Sequence, residues 1–387
     1  MSAQRTARAD GIADTSARGV VVTCALRAGV DPEGHEARTR KGIAQRLAKL
    51  KGCAFAGEFD AGAQYATPVY FVPSDTLLAE RASKLGVDSE DHLYGGVVQQ
   101  PFAATKAITH PLLEPSSRAP AGWVREFPEA VAPSVLSGFT VFTRNDLTAA
   151  VRRLLERGPA RVKRTMGIGG SGQYVIETLD ALDPVLDEID DAELSTVGAV
   201  VEENLDCVTT YSVGQVHAAG VVVSYHGTQR QTVNNRGNEV YGGSELFVTR
   251  GDFDALLRFP LAGSIRLAVA QARNYDAAAR TLLPGFFASR RNYDVMQGTD
   301  ANGQHKSGVL EQSWRIGGAS GAEVAALEAF HADPALEATR AVSIEIYGDS
   351  PIPPADATVY FRDVDARVGF LTKYSRIEPH ADARRAG

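Results

Sequence analysis

Two short segments in the last third of the chain constrain its fold most. Residues 292–296 (Asn-Tyr-Asp-Val-Met) and 309–313 (Val-Leu-Glu-Gln-Ser) flank a polar stretch that contains Asn302-Gly303. Alternation at period two marks strands with one buried face, and Asn-Gly is the dipeptide most typical of a two-residue hairpin turn. A hairpin reversing there sets Asp294 directly opposite Glu311, with Ser313 and then Arg315 following on the same face. Like charges directly opposed destabilise a sheet unless something compensates. The pair therefore implies either a solvated acidic face or a divalent cation, and two carboxylates offer the hard oxygen donors that Mg²⁺ takes along with substrate phosphates. Val295, Leu310 and Trp314 on the other side imply a half-buried sheet. Gly317-Gly318 would let the backbone approach a ligand closely.

A second feature is the run Gly167-Ile168-Gly169-Gly170-Ser171-Gly172, which fits G-x-G-x-x-G. A dinucleotide fingerprint needs a buried strand before it and a helix after it. Here Arg161, Lys163 and Arg164 precede the glycines and the strand-favouring residues 173–177 follow, so an NAD-dependent oxidoreductase rests on the glycines alone. Glycines between two strands read either as a surface hairpin or as a flap whose amides cover phosphates, with Lys163 as a point charge beside them. The P-loop pattern is absent, and G-x-S-x-G fails because Gln173 occupies its last place.

The rest of the chain reads as an α+β protein. A polar leader (1–18), expected to be disordered, precedes a strand at 19–26, a helix at 35–50, a strand at 67–72 and a helix at 76–85, which together imply a small parallel α/β domain over 19–110. A Pro- and Gly-rich connection (111–138) opens the body. It continues with a strand at 140–142, a helix at 146–157 capped by Asp146, a helix within 181–191, a strand at 197–202 and two strands over 209–226 turning at Ala219-Gly220. Residues 227–244 read as a long polar loop of the kind that closes over sites, carrying Arg230 and Arg236. Helices at 251–283 precede the acidic hairpin, and residues 326–387 form a C-terminal extension with strand-like runs.

Lys+Arg number 40 against 47 Asp+Glu, a net charge of −7 over 387 residues, which argues against nucleic-acid binding. No run of about 18 apolar residues suggests a membrane span. The three cysteines are far apart in sequence and fit buried thiols in a reducing cytoplasm.

In order, these pieces resemble the ATP-grasp superfamily of ATP-dependent ligases over roughly residues 101–323. Ala104-Thr105-Lys106 is similar to the segment that supplies the first nucleotide lysine. Residues 161–172 resemble the second lysine, Lys163, with its flexible flap (Gly167, Gly169, Gly170, Ser171, Gly172). Residues 200–205 resemble the hinge strand, implying Glu202, Glu203, Asn204 and Leu205 around the adenine; of the two adjacent acids only one can face it. The hairpin resembles the metal-binding strands, implying Asp294, Glu311 and Ser313 as ligands of Mg²⁺, or of Mn²⁺. The resemblance implies an ATP-grasp fold, divided here into an N-lobe (111–200) and a C-lobe (201–325), and a cytoplasmic ligase. A small-molecule or peptide carboxylate would be activated by ATP as an acylphosphate and captured by an amine. Arg315 and Arg291 would stabilise the transferred group, and Arg230 and Arg236 would bind the carboxylate. A homo-oligomer is compatible with this reading. The chain departs from the pattern at Ser313 (commonly Asn), at Asn292 (often Arg) and at Thr210 (often an acid). Those departures leave a catalytically divergent ATP-binding module as the alternative.

Overall fold

A computed structural model describes residues 18–26, 29, 31–166 and 172–378. The polar leader up to residue 17, the flap positions Gly167, Gly169, Gly170 and Ser171, and residues 379–387 lie outside the described residues.

The N-terminal region contains β1 (Val20–Cys24), α1 (His35–Lys51), β2 (Ala54–Glu58) and β3 (Val69–Pro73), then β4 (Leu77–Leu78), α2 (Ala79–Leu85) and β5 (Gly96–Val98). β1 runs parallel between β2 and β3, as the strand–helix alternation implies. α1 forms because Ile43, Leu47, Ala44 and Ala48 recur on one face and bury together against Val21, Tyr70 and Val72. Gly52 stops it in the left-handed region at φ 64°. The second expected helix begins only at Ala79, because Leu77 and Leu78 pair with β5.

The next region holds α3 (Glu126–Val131), β6 (Gly138–Val141), α4 (Arg144–Leu155), β7 (Ala160–Arg164), β8 (Gln173–Ile176), α5 (Asp183–Glu188), α6 (Asp191–Val197) and β9 (Ala199–Glu203). Its four-stranded sheet has the order β6-β9-β7-β8. Ala160, Val162, Ala199 and Val201 pack with Leu147, Val151 and Leu154 of α4, each buried Val or Leu contributing roughly 1.5–3 kcal/mol. Alternation puts Arg161, Lys163 and Glu202 on the opposite face. Thr143, not Asp146, caps α4: its hydroxyl accepts from the Asp146 amide and donates to the Asp146 carboxylate.

The remainder comprises β10 (Asp206–Ala218), β11 (Val221–Val233), β12 (Glu239–Arg250), α7 (Phe253–Leu257), α8 (Gly263–Leu282), β13 (Phe287–Ala288), β14 (Arg290–Thr299), β15 (His305–Ser313), α9 (Ser320–Ala332), β16 (Ala338–Tyr347), β17 (Thr358–Asp365) and β18 (Gly369–Ile377). Eight of these strands form one sheet in the order β15-β14-β10-β11-β12-β16-β18-β17, so residues 338–377 extend the sheet that carries the acidic hairpin. α8 covers one face with Val213, Tyr293, Val295 and Val309, and α9 covers the other with Val216, Tyr225 and Leu246. The turn at Ala219-Gly220 is as expected, both residues having positive φ.

Residues 227–244 are not a lid. β11 and β12 run through them as a hairpin, leaving only 234–238 as the turn. Cys24 is buried, but Cys207 is exposed, against the expectation of buried thiols; all three cysteines are free. No helix among the described residues is long and apolar enough to cross a membrane.

Candidate active site

The acidic hairpin forms with Asp294 opposite Glu311 and Asn292 opposite Ser313. Its turn is not the two-residue type. Thr299 pairs with His305, and Asp300 organises the residues between them by accepting from the amides of Asn302 and Gln304. A bulge at Leu310 then restores the register at Glu311, and Val309 takes the core position expected for Leu310.

The Asp294 carboxylate is poorly satisfied. Oδ2 accepts from Gln229 Nε2 at 3.2 Å, whereas buried Oδ1 has no partner. Burial first, and then the Glu311 charge, push this carboxyl up to about 7 against weaker opposition from Gln229, Arg290 and Lys106. Glu311 is held from the other side by Lys106, whose Nζ lies 2.6 Å from Oε2. An orphaned carboxylate oxygen beside a second carboxylate is the donor set a hard divalent cation completes, so these residues fit Mg²⁺ or Mn²⁺. Among the described residues no group of three or more His, Cys, Asp and Glu side chains converges.

On the facing sheet, Lys163 and Glu202 are buried as an ion pair, and His110 Nε2 lies 3.2 Å from the other Glu202 oxygen. Burial alone would push the Glu202 carboxyl up; the charges of Lys163 and His110 override it and hold it at about 2. Glu203 faces the other way and accepts from the Ser137 amide, while Asn204 accepts from Arg161. Leu205 is buried at the end of the hinge. β7 and β8 form an antiparallel hairpin joined across the glycine cluster, with Gly172 in the left-handed region at φ 70°. A strand, not a helix, follows the glycines, which removes the dinucleotide-fold reading.

A cleft of about 480 Å³ lies beside the hairpin. Lys106, Glu311, Ser313 and Arg315 line it, together with Thr165 and Met166 at the base of the flap and Asp75, Thr76 and Arg81 from the N-terminal region. Gly96 permits this junction, since a Cβ there would sit 2.9 Å from the Trp314 Cβ. Gly318 serves packing, not a ligand: its missing Cβ leaves room for the Tyr241 hydroxyl.

Three of the arginines expected at the site lie elsewhere. Arg291 points to the α8 face, where it is bound to Asp276 at 2.9 Å, the Ala288 carbonyl and Gln215. Arg230 is paired with Glu245 at 3.0 Å on the face opposite Asp294, and Arg236 sits in the 234–238 turn, donating to the Arg367 carbonyl. Two unexpected residues take part instead. Gln229 contacts Asp294. Arg290 shares the face of Asp294, pairs with Glu323 at 2.7 Å, and donates to the carbonyls of Ser313 and Arg315. Tyr94 and Tyr225 donate to the same Glu323 carboxylate. Burial opposes ionisation of Glu323, and Arg290 overrides it, holding the carboxyl below its usual range. This network fixes the strand end that presents Ser313 and Arg315.

Residues 22–375 match the family described as "Protein of unknown function (DUF3182)". The chain belongs to the DUF3182 family. No curated protein matches its sequence. Among solved structures, the biotin carboxylase domain of 2-oxoglutarate carboxylase from Hydrogenobacter thermophilus, crystallised with MgADP, ADP and bicarbonate, is 10% identical with a TM-score of 0.50. The match covers 93% of this chain and 86% of that one. Phosphoribosylamine–glycine ligase from Thermotoga maritima matches at 12% identity and TM-score 0.49 over 94% of each chain. The D-alanyl-alanine synthetase A of Vibrio cholerae matches at 10% identity and TM-score 0.43, covering 76% of this chain and 88% of that one. The fold of this DUF3182 chain is thus α+β of the ATP-grasp type, and the likeness reaches beyond residues 101–323 into the N-terminal α/β region.

Proposed function

We propose that this chain is an ATP- and Mg²⁺-dependent ligase that activates a small-molecule or peptide carboxylate as an acylphosphate for capture by an amine. The observation that carries the reading is the cross-strand Asp294–Glu311 pair with its orphaned Asp294 oxygen, of which Glu311 lines one cleft with Lys106, Arg315 and the base of the flap. The metal would be held by Asp294 and Glu311, with Ser313 next along the same face; when bound it supplies charge neutralisation between phosphate oxygens.

The protein's own groups do the positioning. Lys163 and Lys106 neutralise nucleotide phosphates, leaving their carboxylate partners as these charges arrive. Burial pushes the Lys163 ammonium down, and the ionised Glu202 beside it opposes that shift and holds the side chain along the sheet face. Arg315, fixed by Arg290 through its carbonyl, meets the charge that develops as the carboxylate oxygen attacks the γ-phosphorus and ADP leaves. The amine then attacks the acyl carbon and displaces phosphate. The biotin carboxylase domain named above was crystallised with MgADP and bicarbonate, which supports ATP and Mg²⁺ here.

Measuring ADP release while carboxylates and amines are screened tests the reading; ATP binding with no turnover on any pair counts against it. A second reading, an ATP-binding module without turnover, is favoured by the engagement of Ser313 Oγ by Arg290 and of the Asn292 amide by Ser212 and Tyr225. It predicts metal-dependent ATP binding that Asp294→Ala abolishes, with no ATP consumed by the wild type.

A further inference from the structure

The cleft beside the acidic hairpin is lined by two kinds of residue. Two ion pairs line it, Lys106 with Glu311 at 2.6 Å and Arg315 Nε with Asp75 Oδ1 at 3.7 Å. Six apolar residues line it as well: Leu26, Leu78, Pro101, Ala104, Met166 and Val197. They come from separate elements that the fold brings together. The Thr165 hydroxyl donates to the Gly198 carbonyl at 2.9 Å, which joins the base of the flap to the end of α6, one residue from Met166 on one side and from Val197 on the other. Leu78 pairs with Val98 of β5, and the chain runs on from β5 into the helical turn Pro101–Ala104, which also touches α6. The Leu26 amide donates to Ser74 Oγ at 3.0 Å, next to Asp75.

Leu78 is 37% exposed and Met166 45% exposed. A large apolar side chain standing alone on a surface is ordinary, but two within one concave site, beside four further apolar residues, are a surface left for a ligand. The nucleotide does not account for them. In the ligase reading its base lies at the hinge, and neither Lys163 nor any of Glu202, Glu203, Asn204 and Leu205 is among the residues lining this cleft. Phosphates are met by the charged groups and gain nothing from apolar ones. The carbon body of the substrate is what remains.

We propose that the carboxylate substrate carries an apolar body, which these six side chains remove from water while its carboxylate meets Arg315. This rests on the ligase reading for the reaction at the carboxylate, but the apolar subsite is tested by binding alone. Sugar acids are poor ligands for such a site, because each hydroxyl buried against it without a partner costs affinity.

The test is ligand-observed NMR titration of the full chain, with Mg²⁺ and a non-hydrolysable ATP analogue, using acetate, butyrate, hexanoate and gluconate as probes. Each buried methylene should raise affinity about threefold to fourfold, so hexanoate should bind about tenfold more tightly than butyrate and at least about tenfold more tightly than gluconate, its equal in chain length. Leu78→Asn and Met166→Gln, both at exposed positions, should each cut the gain from butyrate to hexanoate to about threefold and leave the affinity for the nucleotide analogue unchanged. Affinity that does not rise with chain length, gluconate binding as tightly as hexanoate, a rise that survives intact in both variants, or no binding of any probe would overturn the subsite. ADP release is then measured with hydroxylamine as the acceptor. A variant-sensitive rise in affinity with no ADP release from any acid would keep the subsite and remove the ligase reading. ADP release supported equally by acetate, hexanoate and gluconate would do the reverse.

Discussion

Replacing Asp294 by Asn should stabilise the metal-free protein at neutral pH while destroying metal-dependent nucleotide binding. The Asp294 carboxyl is moved from its ordinary 3.8 to about 7 by burial and by Glu311. A group whose folded pKa is raised binds more protons in the folded state, so folding loses stability as pH rises from about 4 to 7. At 1.36 kcal/mol per pH unit this amounts to at most about 4 kcal/mol, and local relaxation and water entry should leave about 1–3 kcal/mol. Asn keeps the shape and the hydrogen bond to Gln229 but carries no charge to bury. Urea unfolding with a chelator present, at pH 7 and pH 4.5, reads the difference. The midpoint of Asp294→Asn should exceed that of the wild type at pH 7, and the gap should close at pH 4.5. Added Mg²⁺ with ATP should stabilise only the wild type. A variant that is less stable than the wild type by the same amount at both pH values would refute the electrostatic account of the pair.

Lys163→Met should cost about 3–5 kcal/mol by leaving Glu202 buried with His110 alone, and adding Glu202→Gln should recover most of it; thermal melts check both, and calorimetry should find weak ATP binding in each. Glu323→Gln should lower kcat for ADP release at least tenfold with little change in KM for ATP, because it frees Arg290 and the strand end carrying Arg315; steady-state kinetics separate the two. His226 is pushed down to about 4 by burial first and Arg340 second, so its folded pKa lies below the unfolded 6.5 and stability is lost as pH falls from about 6.5 to 4. His226→Phe, which can pack on Phe247, should remove up to about 3 kcal/mol of that acid dependence in urea midpoints at pH 7 and pH 4.5.

The carboxylate pair was legible because period-two alternation holds on β14, yet the expected turn was wrong, β15 is bulged, and the pairing came right through compensation. A longer turn shifts the register by one residue, and the bulge at Leu310 shifts it back. Arg290 was accessible to the same logic, since it lies four residues before Asp294 and shares its face, whereas Arg291 must face away. Gln229 was hidden because the glycines of residues 227–244 read as loop. Apart from Gly237 in the turn they are strand glycines: a Cβ on Gly227 or Gly243 would come within 2.1 Å of the Glu245 or Ser343 carbonyl, so close strand approach requires those two. The His110–Glu202–Lys163 cluster joins residues far apart in sequence, and no local pattern encodes it. The strand-like runs of residues 341–377 were visible, but not their addition to the hairpin's own sheet, which depends on pairing between β12 and β16.

The central claim is that a carboxylate oxygen attacks the γ-phosphate of ATP in this cleft. With a carboxylate that supports ADP release, labelled in both oxygens with ¹⁸O, the phosphate formed in the presence of an amine should carry one ¹⁸O atom, read by mass spectrometry. Unlabelled phosphate alongside ADP, or release of AMP and pyrophosphate, would contradict the acylphosphate route.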